Sequence, residues 1–528
     1  SISLSPDSVA EERPSSQGSR TDGEVTKIHV RLAENITMEI VRLLDWSNLG
    51  SVVFFGLLFL FFSEMFRIRF FQNKLPPGPK PFPFVGNLPQ IIKAPMKFIN
   101  KIKEYGEISS FHFGREPSIV LNTIDVVKEA LVHNASEFSG RPYIPVIDWV
   151  TNGKGIVTVP YGTSWRQQRR FALQTLRNFG LGKKSLEERV SEEARYLIEE
   201  LEKHKGKSFD PQHCLQNAVA NIICSIVFGN RFDYDNKRFG YFLEITNRNF
   251  ILAGSPVGQI TNFLPFIKYL PGPQQNIKRN ANKLLAFFEE AVKEHKSTLD
   301  RENLRDFIDT YLVEIEAQKS NPESTFSEEN MIMTVADLFF AGTDTTATTL
   351  RWGLIFMMEH PDIQVLGYDR LPTMDDRANM HYVHATVHEI QRFANIVPLG
   401  VVHSVTKDTQ LRGYHLAEGT QVFVNMTAIL TDKDHWKFPY EFNPGNFLND
   451  EGKFFRHEAF LAFSLGPRVC LGEQLARMEL FIFFVSLIQH LKFIWPPGVD
   501  SYDRDGIFGI VRGPRPFMIL CHSRDCKK

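Results

Sequence analysis

The run Phe463-Ser-Leu-Gly-Pro-Arg-Val-Cys-Leu-Gly472 places one cysteine on a loop suited to a negatively charged sulfur. Gly466 and Gly472 permit tight backbone, so amide groups can turn toward the sulfur. The helix expected to follow, Glu473-Gln-Leu-Ala-Arg-Met-Glu-Leu, would bring its positive N-terminal end close to Cys470. Phe463 can pack over the sulfur, and Arg468 can pair an anion beside it. A thiolate held this way can ligate haem iron and push electron density into it. A buried cysteine in a Gly-rich loop is usually inert, but the spacing Phe-x-x-Gly-x-Arg-x-Cys-x-Gly is far more demanding than that.

A second group of reactive side chains is Ala341-Gly-Thr-Asp-Thr-Thr346, a glycine, hydroxyls and a carboxylate inside a long apolar run. Gly342 costs a helix about 1 kcal/mol relative to Ala, a cost usually tolerated for packing or function. A threonine can bond the carbonyl four residues back and open the helix locally. The plain reading is a kinked helix with solvated polar groups. Glu389-Ile-Gln-Arg392 sets an acid and a base one helical turn apart, common on helix surfaces and weak alone.

These groups need a helical frame. Apolar residues at three- and four-residue spacing predict helices over Leu173–Leu201, Asn217–Val227, Ile277–Leu299, Asn330–Glu359, Tyr382–Asn395 and Cys470–Leu491. Short alternating runs, Ser118-Ile-Val-Leu-Asn122 and Thr420-Gln-Val-Phe-Val-Asn425, predict strands. The fold class is therefore mainly α with small β-sheets, an α+β arrangement of one large domain (residues 90–528) without internal repeats.

Hydrophobic residues make up 43% of the 528, with 46 Phe, enough for a large core and an apolar pocket. Lys and Arg (60) nearly equal Asp and Glu (61), so no global field points to nucleic acid. Five scattered cysteines without a Cys-x-x-Cys pair argue against a disulfide framework and a structural zinc site. Trp46 to Ser63 is uncharged and just long enough to cross a bilayer as a helix. Arg67, Arg69 and Lys74 follow it, which by the positive-inside rule puts the downstream domain in the cytosol. Residues 38–66 thus read as a retained anchor and 67–89 as a basic, Pro-rich spacer. Residues 1–37, rich in Ser, Glu and Arg, read as a disordered extension, with Met38 a candidate start.

Taken together, the cysteine loop, Glu389-Ile-Gln-Arg392 at its distance before Cys470, and Phe438-Pro-Tyr-Glu-Phe-Asn-Pro-Gly-Asn-Phe447 resemble a cytochrome P450, specifically the vertebrate microsomal family 2 enzymes, over nearly all of residues 38–522. The resemblance implies haem b with Cys470 as axial thiolate and metal ligand. It implies Glu389 and Arg392 as a structural ion pair; Asn446 stands where relatives carry Arg or His, so that third contact is altered. Arg141, Trp165, Arg169, His403 and Arg468 match positions of propionate contacts. Asp344 and Thr345 match an acid–alcohol pair that relays protons to dioxygen, Asp344 replacing the commoner Glu. Substrate contacts would come from Val157, Val159, Phe250, Asp337, Ala341, Thr345, Val397, Gly400, Val401, Ile510 and Val511. NADPH–cytochrome P450 reductase would supply electrons, docking through Arg166, Arg170 and Arg477, with cytochrome b5 as a second donor. The implied location is the endoplasmic reticulum membrane. Phe263-Leu-Pro-Phe-Ile-Lys-Tyr-Leu-Pro271 would dip into its lipids to admit lipophilic substrates: fatty acids such as arachidonate, steroids or xenobiotics, for hydroxylation or epoxidation.

One departure stands out. Between Pro361 and Glu389 the chain is shorter than its relatives by roughly two helical turns, about 3.6 residues each, where Gln364 runs into Val365-Leu-Gly. Two rival activities share the fold: rearrangement of peroxides, which needs neither reductase nor acid–alcohol pair, and non-enzymatic haem binding. Asp344-Thr345 and the pocket composition argue against both.

Overall fold

The computed structural model describes residues 46–72, 74–180, 184–364, 370–499 and 502–524. The proposed extension 1–37, the candidate start Met38 and the Val365 junction lie outside these residues. The chain divides into two units, residues 1–70 and 71–528.

The first unit contributes helix α1, Trp46–Gln72. Its Gly50–Phe70 stretch has a mean hydropathy of 1.8 and is 6% buried. A long helix this apolar and this little buried has the length and composition expected of a membrane span. Its acidic Glu64 is paired within the helix by Arg67, Nη2 to Oε1 2.6 Å.

The long helices of the second unit are α2 (Thr163–Asn178), α3 (Lys184–Glu202), α4 (Gln212–Val227), α5 (Lys237–Gly254), α6 (Gln275–Thr298), α7 (Phe307–Ala317), α8 (Glu328–Glu359), α9 (His381–Ala394) and α10 (Glu473–His490). Where the apolar pattern predicts one helix from Leu173 to Leu201, the chain forms two. Gly180, at φ +105°, takes a conformation open to glycine and breaks the run. Helix α5 escapes the periodicity because four aromatic residues, Phe239, Tyr241, Phe242 and Phe250, interleave with charged ones along it.

Helix α8 forms the spine of the unit. The Ser327 side chain caps its start by accepting from the Asn330 amide at 3.2 Å. Its second half, Thr346 to Met358, is buried throughout. Gly342 lets α4 approach: a Cβ there would lie 2.5 Å from Ile223 Cδ1. Packing therefore explains the glycine.

A four-stranded sheet lies beside the helices in the order β1 (Ile108–Phe113), β2 (Glu116–Leu121), β4 (Gln421–Val424), β3 (His403–Ser404). β2 and β4 run parallel, with Ser118 opposite Gln421. Near the C-terminus β5 (Leu491–Ile494) pairs with β8 (Leu520–Ser523), and β6 (Ile507–Phe508) with β7 (Arg512–Gly513).

Past the end of α8, Gln364 is buried and its side chain completes an edge of β5. Nε2 donates to the carbonyls of Met357 (3.1 Å) and Phe493 (3.0 Å), and Oε1 accepts from the Phe493 amide at 2.7 Å. Among the described residues between Glu359 and His381 the only helical turn is the 3-10 turn Asp376–Ala378.

Candidate functional site

The cysteine loop folds as a sequence of tight turns. Ser464 donates to the Leu461 carbonyl, Val469 to Gly466 and Cys470 to Phe463, at 2.8, 3.0 and 3.0 Å. Gly466 sits at φ +75°, and a Cβ there would lie 2.0 Å from the Leu131 carbonyl oxygen. No other residue fits both demands. Helix α10 starts at Glu473 rather than at Cys470, so the cysteine lies on the turn ahead of the helix. Cys470 keeps an exposed surface although protein surrounds it closely. Burial raises its pKa, while the Gly472 amide and the Arg169 guanidinium pull it down.

Beside the cysteine loop three guanidiniums converge, none of them paired with a carboxylate among the described residues. Arg468 is buried and donates to the carbonyls of Ser139 (2.9 Å), Ile156 (3.3 Å) and Val159 (2.7 Å), its guanidinium 4.3 Å from the Trp165 ring centre. Arg141 donates to the carbonyls of Val157, Val401 and Val402. Arg169 bonds the Val469 carbonyl, one residue from the sulfur. Burial lowers all three pKa values; repulsion from neighbouring guanidiniums adds to it for Arg141, lowered to about 10, and Arg468, lowered to about 9, while Cys470 opposes it at Arg169. His403, bonded through Nδ1 to the Phe138 carbonyl at 2.8 Å, is pushed down to about 3 by burial and by Arg141 and Arg468. The indole Nε1 of Trp165 is buried without a partner. Clustered cations and an orphan donor require anionic oxygens in their midst. The two carboxylates of haem b, with its iron placed at Cys470, match that donor set.

Glu389 and Arg392 form a fully buried bidentate pair, 2.7 Å in each arm. Arg392 also donates to the carbonyls of Leu430, Phe438, Pro439 and Glu441. Asn446 completes the cluster as a neutral donor to Glu389, and the Asn443 amide adds a bond of 2.8 Å.

On α8, Thr345 donates to the Ala341 carbonyl at 2.7 Å. Ala341 is exposed in mid-helix, so α8 borders open interior space at this turn. Asp344 is buried and its carboxyl is pushed up to about 6 by desolvation, against the pull of Arg351. It lines a cavity together with Phe250, Ile510 and Val511. Asp337 accepts the amides of Ile156 (2.6 Å) and Val157 (3.0 Å), so its carboxylate anchors the loop that carries Val157 and Val159. Val159 is itself core. Val397, Gly400 and Val401 follow α9 in a turn closed by Gly400 N to the Val397 carbonyl, 3.0 Å.

Two side chains have roles that the sequence reading did not assign. Arg477, expected on the docking surface, is turned inward: it pairs Glu473 at 2.9 Å, donates to His388 Nε2 at 2.7 Å and lies 5.0 Å from the Phe463 ring centre. Glu479 is fully buried in α10, beside Thr346, with one oxygen unpartnered and its pKa pushed up to about 8. A lone acid inside the apolar run Met478–Phe484 was the visible signal.

The family model for Cytochrome P450 matches residues 76–521. Cytochrome P450 2B4 of Oryctolagus cuniculus is 43% identical over 484 residues, 89% of this chain and 97% of that protein. Cytochrome P450 2C21 of Canis lupus familiaris is 44% identical over 446 residues, 82% of this chain and 91% of its own. Cytochrome P450 2F2 of Mus musculus is 42% identical over 468 residues. A cysteine loop beside unpaired guanidiniums, a buried Glu–Arg pair and a family match across most of the second unit lead to one conclusion: this chain belongs to the cytochrome P450 family and is a haem-thiolate monooxygenase.

Proposed function

We propose that the enzyme inserts one oxygen atom from O2 into lipophilic substrates, hydroxylating or epoxidising fatty acids, steroids or xenobiotics, with electrons from NADPH delivered by a reductase. The observation that carries this reading is the set of three guanidiniums and the orphan Trp165 indole around Cys470. Haem, when bound, supplies the activation of dioxygen. Cys470 gives it the thiolate, and Arg141, Trp165, Arg169, His403 and Arg468 hold its carboxylates.

Asp344, with a carboxyl near 6, can carry or release a proton close to neutrality. Thr345 can pass it on once its hydroxyl leaves the Ala341 carbonyl. Arg166, Arg170 and Arg177 line a groove on α2 and offer a basic surface to the reductase or cytochrome b5. Helix α1, with Arg67 and Arg69 near its C-terminal end, supports an endoplasmic reticulum anchor with the second unit in the cytosol. Phe266, Tyr269 and Leu270 are exposed, which supports lipid contact by that segment.

Reconstitution with reductase and NADPH against a panel of lipids and drug-like compounds tests the proposal. Product formation that requires both is expected, together with a carbon monoxide difference band that Cys470→Ser abolishes. Turnover of peroxides alone would support the rearrangement chemistry instead.

A further inference from the structure

Helix α8 carries a charged group that the oxygen chemistry does not use. Arg351 lies seven residues beyond Asp344 and is 7% exposed. A guanidinium has five N–H donors. The one hydrogen bond it makes among the described residues is long, 3.4 Å from Nη2 to the Pro514 carbonyl, and its Nε has no partner. Asp210, Tyr502 and Asp344 favour its charged form, yet none of them gives it a hydrogen bond among the described residues. A buried guanidinium with most of its donors unused is unfavourable, and an acceptor in the adjoining space would meet them.

Arg351 borders a cavity of about 100 Å³ between α4, α5, α8 and the β6–β7 hairpin. One water occupies roughly 10–15 Å³ of such space, so there is room for an acid group and a short stretch of chain. Gln212 and Gln216 contribute amides to the lining, and Phe250, Ile510 and Val511 contribute apolar surface. Asp344 lines the same cavity, about 10 Å of helix rise from Arg351, with its carboxyl pushed up to about 6.

We infer that this cavity is a carboxylate-binding site, in which Arg351 takes an acid group and the apolar wall covers the methylenes next to it. The acid group can come from a long-chain fatty acid or from a free short-chain acid. As a statement about substrate the inference rests on the monooxygenase reading; as a statement about binding it does not.

Calorimetry on the full-length holoenzyme with dodecanoate, methyl dodecanoate and butyrate tests it. Dodecanoate is expected to bind about tenfold or more tightly than its ester, the scale of a charge-assisted pair. Arg351→Gln should erase that preference and leave the ester's affinity within about twofold. Butyrate that displaces dodecanoate would show that a free short acid suffices. Butyrate that fails to compete, with dodecanoate still dependent on Arg351, would assign the site to long-chain acids. Equal binding of acid and ester, or a preference that survives Arg351→Gln, overturns the inference and leaves the cavity to water.

Should that variant not fold, the wild-type protein decides through carboxyl-labelled dodecanoate followed by carbon-13 NMR. A bound carboxyl that stays ionised well below the pH at which free acid protonates supports the site, and an unshifted titration overturns it. A holoenzyme that binds acid at Arg351 yet oxidises nothing would sink the monooxygenase reading alone.

Discussion

The side-chain amide of Asn446 lies 3.2 and 3.3 Å from the two carboxylate oxygens of Glu389. It also ties down Phe438, donating to its carbonyl at 3.1 Å and accepting from its amide at 2.9 Å. A neutral amide thus does the joining expected of a cation, and the charge balance of the cluster rests on Arg392 alone. Asn446→Leu should strand Glu389 oxygens in the core and lower stability by about 1–3 kcal/mol, measured by thermal unfolding.

Gly466→Ala meets the Leu131 carbonyl and a left-handed backbone together. Strain of this kind is expected to cost a few kcal/mol and to displace the cysteine loop. Haem content per purified chain should fall sharply, while helix content by circular dichroism stays near wild type.

The imidazole of His388 is buried, accepts from Arg477 and donates through Nδ1 to the His384 carbonyl. Burial, then His384 and Arg477, hold its pKa well below the ordinary range. In the unfolded chain it binds a proton near pH 6.5, and in the fold it does not. Stability is therefore full above about pH 6.5 and is lost as pH falls, by up to ~1.4 kcal/mol per pH unit for this group. His388→Gln should flatten that acid limb in denaturant titrations at stepped pH.

Replacing Asp344 by Asn removes an acid whose carboxyl sits near pH 6. Product formation should fall by roughly 10²-fold, with substrate affinity little changed. An inflection near pH 6 in the wild-type rate profile should vanish in the variant.

Deletion through Phe70 removes an apolar helix that nothing in its own unit buries. The shortened chain should move from the membrane pellet to the soluble fraction on ultracentrifugation without detergent.

Much of this is legible in the sequence. The cysteine loop, the Glu389–Arg392 pair and the long helices are local patterns, and local spacing determines them. Tertiary reach was not legible. Asp337 lies on α8 at a position that reads as ligand-facing, yet it holds amides at Ile156 and Val157, far away in sequence. Arg477 reads as surface because charge in a helix usually is, but Glu473 and His388 draw it inward. The unpaired state of Arg351 appears only when α4, α5 and the C-terminal hairpin are assembled around it. Gly180 could have been read as a helix stop, and the apolar period on either side concealed it.

Gln364 ends the region after α8 by acting as a surrogate strand residue, bonded to both backbone groups of Phe493 while Arg524 binds its own carbonyl. The end of the spine helix is thereby moored to the C-terminal sheet. Gln364 is a clasp ahead of the segment that leads to α9, holding α8 by bonds that do not pass through that segment.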